Sequence, residues 1–185
     1  MSSERPRGAA FQIRSRSEIN ARLADFLLKK GFGGEKRIRE LQHRSTWVEV
    51  PLEKLALREG LVSEETLLDA LAHITGVPVL NMARIRIEDQ ALETMSAKTV
   101  TEYNIIPVGM QSGTVTVATD HVWDITEEDH LRVILGYSIA WVFAPAQQIR
   151  ECIKHYYGVG IETFLHLQSG EGEESAAAAR GREGA

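Results

Sequence analysis

Gly76 divides the sequence between two hydrophobic patterns. Before it, apolar residues recur every three or four positions, as they do along one face of a helix. After it they alternate or gather in short blocks, as they do in strands. Helices come first, then strands mixed with helices, and that order predicts an α+β chain: an N-terminal helical subdomain followed by a small sheet packed with helices.

The predicted helical subdomain spans 17–76. Its first helix runs from Ser17 to Lys30, with Ile19, Leu23, Phe26 and Leu27 on one face and Gly31 as the stop. A second covers Glu35 to Arg44. Pro51 opens a third, which ends at Gly60, and Ser63 caps a fourth, with Glu64 and Glu65 complementing its N-terminal dipole. Beyond Gly76 the predicted α/β subdomain spans 77–164. Val77–Leu80 and Ile105–Val108 are strand candidates whose prolines suggest edges or ends. Thr114–Thr119 alternates strictly and is rich in β-branched residues, and Gln111-Ser112-Gly113 before it predicts a hairpin. Asp124 and Glu127 form the start of a capped helix, Tyr137 to Phe143 is a further strand, and Pro145 opens a last helix that closes at Gly158. Residues 1–16 read as a basic arm without fixed structure and 165–185 as a flexible tail or linker, since both are poor in residues to bury.

Several function classes fall away. No P-loop string occurs, and the Gly31, Gly33, Gly34 cluster lacks dinucleotide-binding spacing because position 36 is Lys. The single cysteine, Cys152, excludes a disulfide framework and reads as a structural thiol on an apolar helix face. Asp120, His121, Asp124, Asp129 and His130 form the densest polar cluster, but no His pair stands at i, i+4, so the bland reading is a strand end, a helix cap and solvated charge. The first 50 residues hold 11 Lys and Arg against 6 Asp and Glu, within a chain of net charge −5. The arginines have almost no aromatic residues among them, and Trp47, Trp123 and Trp141 stand singly, so no nucleic-acid surface is expected. The residues predict neither an enzyme, nor a metal site, nor a cofactor, and no run is long enough to span a membrane.

The string from Gly60 to Leu80, GLVSEETLLDALAHITGVPVL, resembles the N-terminal domain of the type II secretion and type IV pilus assembly ATPases. In that family a helix–turn–helix unit leads through a Pro-containing strand into a small α/β subdomain. Met95–Tyr103 followed by Ile106-Pro107-Val108-Gly109, the strand Gly113–Asp120, the helix with Asp124, Leu131, Arg132 and Gly136, and the closing stretch from Ala144-Pro145 to Tyr156-Tyr157-Gly158 continue the similarity, which covers 18–164. In the MshEN branch, two tandem copies of an Arg-Leu-Gly pattern bind cyclic di-GMP. The first copy here starts at Arg22-Leu23 and passes through Gly31-Phe32 to Ser45. The second starts at Pro51-Leu52 and passes through Gly60-Leu61-Val62 to Ile74. Ala24 and Glu53 stand where the pattern has glycine, and Pro51 where it has arginine. Proline cannot stack on or pair with a guanine, and Glu53 adds bulk and a charge that repels phosphate.

The resemblance implies a non-catalytic adaptor that docks on the cytoplasmic domain of an inner-membrane assembly protein of the secretion or pilus machine. Its place would be the cytoplasm, peripheral to the inner membrane through that partner. The alternatives are a cyclic di-GMP sensor that uses Arg22, Leu23, Gly31 and Gly60, and a free-standing regulator never fused to an ATPase. For the docking face we expect Ile19, Leu23, Phe26 and Leu27, because the first helix lies between a basic arm and a glycine-rich turn yet is too apolar to stay in water.

Overall fold

The computed structural model describes residues 8–10, 15–48 and 50–158. The expected tail at 165–185, and most of the expected arm, lie outside them. The first half is four helices, α1 (Arg16–Lys29), α2 (Glu35–Trp47), α3 (Leu52–Arg58) and α4 (Glu64–Thr75). They form a repeat with a period of 29 residues, from Gly31 to Gly60 and from Glu35 to Glu64. The ends of α1 and α3 close with the same pair of hydrogen bonds. The Phe32 amide reaches back to the Leu27 carbonyl (2.9 Å) and the Gly31 amide to Leu28 (3.1 Å). Leu61 reaches Ala56 (2.9 Å) and Gly60 reaches Leu57 (3.0 Å). This Schellman closure needs a left-handed residue, supplied by Gly31 at φ 76° and Gly60 at φ 62°. The two turns also touch: a Cβ on Gly33 would lie 2.6 Å from Leu61 Cδ1.

Ile19, Leu23 and Leu27 on α1 meet α2 and α4, where Ile38, Leu41, Leu67, Leu68 and Leu71 are equally buried. Asn20 ties three helices together. Its Nδ2 donates to Ser45 Oγ (2.9 Å), and its Oδ1 accepts from the Leu52 amide at the start of α3 (3.4 Å), where the N-cap residue Pro51 has no side-chain acceptor.

After α4 come a 3₁₀ turn (Met82–Arg84), α5 (Asp89–Leu92) and α6 (Ala97–Tyr103), then β1 (Ile106–Gln111), β2 (Thr114–Thr119), α7 (Ile125–Leu135), β3 (Ser138–Phe143) and α8 (Ala146–Tyr157). The sheet order is β1-β2-β3. β1 and β2 are an antiparallel hairpin whose two-residue turn, Ser112 (φ 50°) and Gly113 (φ 78°), has the positive φ pair of a type I′ turn. β3 runs parallel to β2, and the crossover between them is α7. Asp124 accepts from the amides of Thr126 and Glu127 while Glu127 accepts from the Asp124 amide, a complete capping box.

Three expectations need correction. The stretch Val77–Leu80 is no full strand; Val79 makes a single parallel bridge to Phe143 before the chain turns into the 3₁₀ turn. Within the stretch expected as the arm, Ala9 forms an antiparallel bridge with Trp141, and Arg16 already belongs to α1, one residue before the expected start of the first helix. The tryptophans are not all single: Trp123 and Trp141 stack with centroids 5.2 Å apart, and both are buried. They pack the core rather than offer a stacking surface.

Candidate functional site

A cleft of about 700 Å³ lies between α3 and the end of the sheet. α3 contributes Lys54 and Arg58 one turn apart, and α8 contributes Arg150. None of these three cations has an ion-pair partner among the described residues. The floor is built from the ends of α6 and β2. Asn104 closes α6 in the left-handed region (φ 50°), and its Nδ2 donates to Asp120 Oδ2 (3.0 Å). Asp120 Oδ1 lies 2.7 Å from His121 Nδ1, and the His121 ring stacks on Trp123 at 4.9 Å. Burial alone would raise the Asp120 pKa; the hydrogen bonds from His121 and Asn104 and the charge of His121 outweigh it and hold the carboxyl below its ordinary value. Asn104 Oδ1 is buried without a hydrogen-bond partner among the described residues. The cleft therefore sets three cations against the carboxylates of Glu102, Asp120 and Glu127, with an unpartnered acceptor and aromatic edges between them, a polar lining of mixed charge.

Beside it, one arginine joins the helical repeat to the sheet. Arg16 Nη1 pairs with Glu53 Oε1 (2.9 Å), and Nη2 pairs with Glu127 Oε2 (3.0 Å) and donates to the Val122 carbonyl (3.1 Å). Glu53 is 1% exposed, and its Oε2 has no partner among the described residues. Among the described residues, only α1 supplies a cation that pairs with it.

The residues expected to act lie elsewhere. Ile19, Leu23 and Leu27 are fully buried, and Phe26 is half-buried against the His73 ring at 5.3 Å. This face covers its own helical unit, because α4 is there to receive it, so it is not the free docking surface expected above. Arg22 is exposed and paired with Glu18 (2.8 Å). Gly31 and Gly60 have nothing within 4 Å of where a Cβ would stand, so their left-handed backbone is what requires glycine there. Sequence reading passed over Asn104 and Arg16; the left-handed cap was the local signal for Asn104, and Arg16 gave none. Cys152 is half-buried rather than core, and burial, with Glu151 beside it, pushes its thiol pKa up. No group of three metal-ligating side chains occurs among the described residues.

The family model of the MshEN domain matches residues 63–163, more than half of the chain. The chain belongs to the MshEN domain family. Fourteen solved chains match its fold. A structure of MshE with cdg superposes with a TM-score of 0.64 at 23% identity, covering 74% of this chain and 99% of that one. The N-terminal domain of XpsE matches with a TM-score of 0.63 at 20% identity, covering 76% and 96%. A second crystal form of it gives 0.51 at 18%, covering 74% and 95%. No curated protein matches the sequence. The family match begins at Ser63, the N-cap of α4, so on α1 to α3 this MshEN domain is likened to others by fold alone.

Proposed function

We propose that this MshEN domain is a non-catalytic docking module at the N-terminus of a type II secretion or type IV pilus assembly ATPase, recruiting it to the cytoplasmic domain of an inner-membrane assembly protein. The observation that carries this reading is Glu53. Where the ligand-binding pattern has glycine, this chain holds a buried carboxylate locked by Arg16, and Pro51 replaces the second arginine. The scaffold is kept, and the second copy of the pattern has lost its anion chemistry. No helix among the described residues is long and apolar enough to cross a membrane, so attachment through a partner fits. With the α1 face buried, the most exposed large apolar side chains among the described residues are Trp47 and Val48 at the end of α2 and Val133 and Ile134 on α7. Calorimetry with the partner's purified cytoplasmic domain tests the proposal. Saturable binding lost in Trp47→Ala or in Val133→Glu supports it and assigns the face; absence of binding to the partners of both machines rejects it.

The second reading is a cyclic di-GMP sensor with Arg22, Gly31 and Gly60 at the ligand. It is favoured by the fold shared with MshE, whose structure is with cdg. Titration with cyclic di-GMP separates the two: heat that disappears in Arg22→Ala establishes sensing, and none at all leaves docking alone.

A further inference from the structure

We draw no further inference here: the strongest candidate, the groove of about 370 Å³ between the 3₁₀ turn and α8, lined by Met82, Ile85, Ile87, Cys152 and Tyr156, is an unpartnered apolar face, and nothing in the structure shows what covers it.

Discussion

Arg16 joins the helical repeat to the second half of the fold: it neutralises Glu53 at 1% exposure and reaches Glu127 and Val122 as well. Removing one partner of a buried pair leaves an uncompensated charge, at a cost of about 3–5 kcal/mol. Arg16 keeps 25% of its side chain exposed, so Arg16→Ala is expected near the lower end, about 3 kcal/mol by urea unfolding. Arg16→Ala combined with Glu53→Ala should recover much of that loss; a double variant less stable than the single would show that Glu53 is not what Arg16 serves. Asp120 makes a second prediction. Its folded pKa is held down, so its stabilising share is fully present above the ordinary carboxylate value, about 3.9, and is lost as pH falls through the lower folded value. The stability difference between wild type and Asp120→Asn should shrink as pH falls below about 4, as read by thermal unfolding in a pH series. A difference that keeps growing below about pH 4 would contradict the Asn104–Asp120–His121 geometry.

Among the elements, the turns of the repeat are where sequence and space constrain one another most tightly. Gly31 and Gly60 need only their left-handed backbone, whereas Gly33 needs both φ 97° and the space beside Leu61. Alanine at Gly31 or Gly60 should cost about 1–2 kcal/mol each, the penalty for a Cβ in that region. Gly33→Ala should cost more, because Leu61 must also move. Chemical denaturation of the three variants gives the order, and equal losses would mean that the two turns do not interlock. Glu64 shows how an element's role changes with context. On its own helix it reads as a dipole partner, yet in the fold its Oε1 accepts from the Ala146 amide (2.8 Å), capping α8, whose N-cap residue is Pro145. The sequence of α4 alone contains no sign of that second use.

For the whole molecule, the decisive fact is where the α1 face goes. Ile19, Leu23 and Leu27 are as buried as Val115 and Val117 in the sheet. Hydrogen exchange on the full chain should therefore find the amides of Leu23 and Leu27 as protected as that of Val117, and a docking partner should leave them unchanged. Faster exchange at Leu23 and Leu27 would mean that α1 separates from α4, returning its face to the list of docking surfaces. The two halves are also tied by polar contacts, Arg16 to Glu127 and Glu64 to the Ala146 amide, so a variant at either should lower the stability of both together.

What the sequence determined by itself is local. The change of period at Gly76, the glycine stops, the Ser63 and Asp124 caps and the strict alternation of Thr114–Thr119 each depend on residues within a few positions of one another, where helix and strand geometry alone set the outcome. Together they gave the α+β order and the family likeness. The tertiary structure decided what depends on distance along the chain. Arg16 meets Glu53 across 37 positions and Glu127 across 111, and the Trp123–Trp141 stack exists only once β3 lies beside β2. An amphipathic helix announces that it has an apolar face and not what will cover it, since α4 and a partner protein would satisfy the same pattern. Burial free energy depends on area, not on whose side chains supply it.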